Sequence, residues 1–62
     1  MYFLYFIKDG QIYYYKGRTR SGNVIYLSKL LTKRVKRFEK KDDAFEESLE
    51  LYPRFDFKVG RE

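Results

Sequence analysis

Apolar positions dominate the start of the chain and then take on a period. Tyr2 to Lys8 (Tyr-Phe-Leu-Tyr-Phe-Ile-Lys) is aromatic and branched throughout. Such residues suit a pleated backbone, so the stretch predicts a β-strand. Asp9-Gly10 follows. A two-residue type I′ turn needs positive φ at both central positions, which Asp and Gly tolerate, so the pair predicts a hairpin. Gln11 to Lys16 is the returning strand. The short loop fixes the register: Lys8 faces Gln11, Ile7 faces Ile12, Phe6 faces Tyr13, Tyr5 faces Tyr14 and Leu4 faces Tyr15.

This register sorts the hairpin into two faces. One holds Phe3, Tyr5, Ile7, Ile12 and Tyr14. The other holds Tyr2, Leu4, Phe6, Tyr13 and Tyr15 and ends in Lys8 and Gln11. Both isoleucines lie on the first, which assigns it to the core. The second is then an open face, unusually apolar for one that meets water.

Gly17 to Gly22 is a glycine-bounded loop, and Asn23 to Leu27 reads as a third strand. The step then changes. Leu27, Leu30, Leu31, Val35 and Phe38 recur every three or four residues, with Ser28 as a candidate cap. This is either a short basic helix or a helical turn leading into an extended stretch, and the pattern does not choose. The clearest helix starts at Asp43, where Asp43-Ala44-Phe45-Glu46 has the spacing of a capping box. Ala44, Phe45, Ser48, Leu49 and Tyr52 form its apolar stripe, and Glu46, Glu47 and Glu50 its wet side. Pro53 stops it. From Arg54 to Val59 the chain alternates, with Phe55, Phe57 and Val59 inward and Arg54, Asp56 and Lys58 outward, as in a half-buried final strand. The expected fold class is α+β: a small, mainly antiparallel sheet of three to four strands packed on one principal helix, as a single domain spanning residues 1–62. One helix covers one face of such a sheet and leaves the other bare.

Composition narrows the chemistry. The chain has 62 residues with neither cysteine nor histidine. Disulfides, thiolate metal sites and the commonest general base are therefore absent. The hydroxyls of Thr19, Ser21, Ser28, Thr32 and Ser48 have no histidine to activate them, so the expectation is a protein that is not an enzyme and holds no cofactor or metal. The acids Asp42, Asp43, Glu46 and Glu47 splay from a helix instead of wrapping an ion, and capping explains them. No apolar run reaches the roughly 20 residues of a membrane span. The Met1 to Ile7 run lacks the basic flank and cleavage site of a signal peptide. A cytoplasmic protein without a membrane partner is expected.

Charge and aromatics point to binding. The formal net charge is +5, and seven tyrosines and six phenylalanines make aromatics 21% of the chain. Residues 1–41 carry eleven Lys/Arg against two acids, whereas residues 42–62 carry three against seven. Within 29–41, seven cations meet only Glu39. Such clusters bind phosphate backbones; the plainer reading is a solvated face that pairs with the acidic helix after it. Tyr2, Leu4, Phe6, Tyr13 and Tyr15 are the candidate partner-binding residues, suited to a protein hot spot, to base stacking or to burial in a homodimer. Arg18, Arg20, Lys33, Arg34, Lys36 and Arg37 are the candidate anion-binding residues. The Tyr2 to Ile7 strand, long and uncharged, is a further docking edge if unpaired.

Val35-Lys36-Arg37-Phe38, Asp42-Asp43-Ala44-Phe45 and Phe55-Asp56-Phe57-Lys58-Val59, behind a Tyr-rich hairpin, form a recognisable set. The set resembles short proteins of phages and prophages of Gram-positive bacteria. It departs from them in Val35, where that pattern has alanine, and in lacking a tryptophan before the basic segment. The resemblance covers most of the chain but rests on core and cap positions. It implies a strand-rich α+β fold and a mobile-element origin, and it carries no activity across. The leading expectation is a modulator or inhibitor of a host protein, and the alternative is a nucleic-acid binder using residues 29–41 and the tyrosines.

Overall fold

The computed structural model describes residues 1–21 and 25–62. Strand β1 (Tyr2–Lys8) turns at Asp9-Gly10 into β2 (Gln11–Arg18), and β3 is Ile25–Ser28. Helix α1 spans Lys41–Leu51, and β4 (Lys58–Arg61) closes the sheet. The strand order is β3-β2-β1-β4, with every neighbouring pair antiparallel. This is the expected α+β class.

The hairpin forms as its turn chemistry requires. Asp9 and Gly10 take φ of 53° and 76°, the left-handed values of a type I′ turn. Tyr5 pairs with Tyr14, Phe6 with Tyr13, Ile7 with Ile12 and Lys8 with Gln11. The β2–β3 register shifts between Tyr15 and Gly17, and Gly17 has φ of 132°. A bulge with glycine at such an angle twists the strand away from its neighbour. The space beside β1 is taken by the basic segment. Tyr2 and Phe38 exchange N–H···O=C bonds of 2.8 Å in both directions, and the Lys36 N–H donates to the Tyr15 carbonyl at 3.1 Å.

Because β3 and β4 lie on opposite edges, residues 29–57 must cross the sheet, and α1 makes the crossing, packing on β1 and β4. The buried cluster is Leu4, Tyr15, Ala44, Leu51 and Phe57, with Tyr2, Phe6, Leu27, Phe38, Phe55 and Val59 packed against it.

Several expectations are corrected. The core face of the hairpin is the one holding Tyr2, Leu4, Phe6, Tyr13 and Tyr15, and the face holding both isoleucines is bare. Ile7 and Ile12 sit beside the turn, at the end of the hairpin, whereas the helix covers β1 and β4, where Leu4 pairs with Val59. Strand β1 is interior, so the docking edge expected at Tyr2 to Ile7 does not exist; the edges are the four-residue strands β3 and β4. For the basic segment, of the two alternatives the pattern left open, the turn leading into an extended stretch is the one found: residues 29–40 form no helix, and Leu30 and Leu31 are exposed. Like charges four apart (Lys29 and Lys33, Lys33 and Arg37, Lys36 and Lys40) oppose a helix there. Ser28 instead turns the chain, its hydroxyl bonding both backbone groups of Leu30. Helix α1 starts two residues earlier than expected, with Lys40 at its N-cap and no side-chain cap. Asp42 and Asp43 stand in its first turn, on the positive end of the dipole. The final strand is displaced to Lys58–Arg61, although Phe55, Phe57 and Val59 do turn inward. Of the expected third strand, Asn23 and Val24 lie outside the described residues.

The face assignment has a direct test. Leu4→Ala removes a fully buried side chain and should cost about 2–5 kcal/mol, most of the stability of so small a domain. Ile7→Ala, on the bare face, should change stability by no more than about 0.5 kcal/mol. Urea melts of the two variants check this, and comparable losses would restore the first assignment.

Candidate functional site

The structure splits the candidate residues between interior and surface. Leu4 and Tyr15 are completely buried. Phe6 lies against Phe57 and stacks on Tyr13 at 5.2 Å between ring centroids, and the Lys29 ammonium stands 5.9 Å above the Tyr13 ring. Tyr15 therefore builds the core and Tyr2 packs against it, whereas Tyr13 stays half-buried and lines a surface concavity with Phe6, Leu27 and Phe55.

The basic candidates divide as well. Lys36 Nζ reaches a Glu47 carboxylate oxygen at 2.8 Å. Arg18 reaches Glu50 at 3.4 Å. Arg37 holds both carboxylate oxygens of Glu62, at 2.7 and 3.2 Å, and donates to the carbonyls of Thr32 and Val35. Its guanidinium thus ties the 32–35 turn to the C-terminal residue, whose N–H bonds the Met1 carbonyl. Three of the six cations proposed for anion binding are occupied within the chain. Arg20, Lys33 and Arg34 are exposed.

Glu47 was expected on the wet side of the helix. It is instead the half-buried acceptor of the Tyr15 hydroxyl, at 2.8 Å, and of Lys36. The helix buries Ala44, Ser48 and Leu51. Glu47 completes their three- and four-residue spacing, the signal that would have placed it inward. Burial acts to raise the Glu47 carboxyl, but the hydrogen bonds from Lys36 and Tyr15, with the Lys36 and Arg18 charges, outweigh it and hold the group below its ordinary value. Burial first, and then the Glu47 bond, push the Tyr15 hydroxyl up to about 12. The Arg37 bonds hold the Glu62 carboxyl low, and the same bonds raise Arg37.

The bare face of the sheet gathers the largest run of exposed and half-exposed apolar side chains. Phe3, Tyr5, Ile7, Ile12 and Tyr14 line one concavity with Gly60 and Arg61. Phe3 lies 5.6 Å from Tyr14, edge to face, and 6.0 Å from Tyr5. Lys58 is registered with Tyr5, and Gly60 with Phe3, so both share this face. Tyr26 joins it from β3, since its neighbour Leu27 is registered with core-facing Tyr15. No carboxylate side chain lies among these residues. Ile7 and Tyr26 are each more than half exposed. A second apolar strip runs along the outer side of α1, where Phe45, Leu49 and Tyr52 are likewise more than half exposed. The expected stripe of the helix therefore faces partly outward, because its buried line is rotated toward Leu51.

Searches of protein-family models, curated proteins and solved structures find no match to this chain. Among the described residues, no helix is long and apolar enough to cross a membrane.

Two tests follow from this geometry. A Cβ at Gly60 would stand 2.5 Å from the Phe3 ring. Gly60→Ala should therefore displace Phe3 from Tyr14 while the buried cluster stays intact, which aromatic NMR contacts between the two rings report; unchanged contacts would refute the close approach. The second test is the pH dependence of stability. A depressed Glu47 stabilises the fold fully above the ordinary glutamate range (about 4.3), and this contribution is lost as pH falls through the folded value. A raised Tyr15 contributes below its ordinary 10.0, and its share is lost as pH rises toward about 12. Tyr15→Phe should lower stability by roughly 1.5–3 kcal/mol at neutral pH. It should also remove a tyrosine titrating near about 12 from an alkaline absorbance titration.

Proposed function

We propose that this chain is a small non-enzymatic binding domain whose bare sheet face docks a protein partner. The observation that carries the reading is the makeup of that face: Phe3, Tyr5, Tyr14 and Tyr26 with Ile7 and Ile12, a cationic border and no carboxylate. Tyrosine-rich apolar surface held rigid by a sheet is what a protein hot spot offers. A monomer seldom leaves such a patch in water. The resemblance to phage and prophage proteins makes a cytoplasmic host protein the expected partner, with modulation or inhibition as the outcome.

The nucleic-acid alternative is less well supported in the form the sequence suggested. It joined Lys33, Arg34, Lys36 and Arg37 to Tyr13 or Tyr15, but Tyr15 is buried and both Lys36 and Arg37 are held by carboxylates.

Salt separates the two readings, because phosphate contacts weaken steeply with ionic strength and apolar docking does not. Immobilised protein should retain a lysate protein through a high-salt wash, and Tyr5→Asp should abolish that retention. It should show no salt-sensitive anisotropy change with mixed-sequence single-stranded DNA. Tight DNA binding at low salt, lost on Lys33→Glu with Arg34→Glu and unaffected by Tyr5→Asp, would reverse the order of the readings.

A further inference from the structure

The protein carries two exposed apolar surfaces on opposite sides, and their charges differ in sign. The bare sheet face carries Lys58 at its margin, registered with Tyr5. The strip of Phe45, Leu49 and Tyr52 on α1 is bordered mainly by acids, with Lys41 one turn before Phe45 as the exception. Asp56 lines the same concavity, and Asp42 and Glu46 precede Phe45 and Leu49 by three residues, the spacing of neighbours on a helix surface. Asp42, Glu46 and Asp56 are all exposed.

We infer that the occupant of the sheet face is the helix strip of a second copy of this chain, in a head-to-tail contact. The inference rests on the docking reading of the sheet face and takes a second copy, in place of a host protein, as its occupant. Within one copy, the sheet already accepts an acidic helix on its inner face, through Ala44, Ser48 and Leu51. The outer face repeats the requirement: a flat apolar surface with a cation at its margin. The outer side of α1 supplies the complement, three large apolar side chains set among carboxylates. A sheet-to-sheet dimer would instead bring the Lys58 residues of both copies together, and like charges at a contact disfavour it. The two surfaces belong to different sides of the molecule, so the contact is heterologous and repeats. It closes into a ring or continues as a filament, and it does not stop at two copies unless a ring of two closes.

Two surface substitutions test this, each at a side chain more than half exposed: Ile7→Asp on the sheet face and Leu49→Arg on the helix strip. Circular dichroism melts establish that both variants fold. Sedimentation equilibrium over a concentration series should show wild-type protein growing beyond the monomer. Each variant alone should be monomeric. An equimolar mixture should form a one-to-one complex and nothing larger, because only one intact sheet face and one intact strip remain to pair. Three results would overturn the inference. If wild type stops at a dimer that Ile7→Asp abolishes and Leu49→Arg leaves intact, the sheet face docks its own kind, and the docking reading survives without the helix strip. If wild type is monomeric throughout, yet retains a lysate protein that Ile7→Asp loses, the partner is foreign. If wild type is monomeric and Ile7→Asp changes neither association nor retention, the sheet face is not a docking surface and both readings fall.

Discussion

Tyr15 joins three stretches of the chain that are far apart in sequence. Its ring, completely buried, packs on Phe57 at 5.3 Å between centroids. Its hydroxyl donates to Glu47 on the helix, and its carbonyl accepts from the Lys36 N–H in the basic segment. A tyrosine can be fully buried only if its hydroxyl finds a partner, since an unpaired buried hydroxyl costs about 1–3 kcal/mol. Glu47 is that partner, and a carboxylate in such a place needs a cation, which Lys36 supplies. The helix is therefore held over one particular face of the sheet, with its Glu47 side turned down. The outward position of Phe45, Leu49 and Tyr52 follows from that rotation.

The same arrangement disposes of much of the charge imbalance along the chain. Cations of the first two thirds meet acids of the last third in three ion pairs, Arg18 with Glu50, Lys36 with Glu47 and Arg37 with Glu62. Exposed pairs contribute little to stability. Their effect here is on availability, because a guanidinium bonded through two nitrogens to Glu62 and to backbone carbonyls is poorly placed to take a phosphate. A run of basic residues read from sequence alone overstates the cation available to a ligand whenever acids lie within reach in the fold.

Local patterns were legible and the global choice was not. Asp9-Gly10 set the turn, and with it the pairing of four successive residue pairs. Pro53 and the acids of the first turn marked the helix to within two residues. What remained hidden was which face of the hairpin turns inward, because both faces are apolar and alternation carries no information when every position is large. The two isoleucines suggested one answer, and the helix decided otherwise. Signals for the right answer lie in the last strand. Lys58-Val59-Gly60 alternates with Val59 as its one apolar side chain, and pairing that strand against β1 puts Val59 with Leu4 on the inside. Using that signal required knowing that β4 neighbours β1, which is a fact of topology. The basic segment stayed open for a similar reason: its apolar spacing matched a helix, while its like charges four apart opposed one.

The bare face divides into a part that folding accounts for and a part it does not. Phe3 packs edge to face on Tyr14, lies near Tyr5 and covers Gly60, a residue that would otherwise weaken a strand. Cross-strand aromatic pairs of this kind stabilise a sheet on whichever side they occur, so these rings have a structural reason to be present. Ile7 and Ile12 pair across the strands without an aromatic ring between them, and Tyr26 faces Gly17, so the pairing accounts for less of their exposed surface. Ile7 and Tyr26 are more than half exposed, and Ile12 is exposed as well, at the margin of the ring cluster where threonine or lysine would serve the strand equally well. In a domain of this size every exposed apolar side chain adds to the tendency to associate. The case for docking therefore needs the exposed margin, Ile7, Ile12 and Tyr26, together with the aromatic cluster at the centre of the sheet.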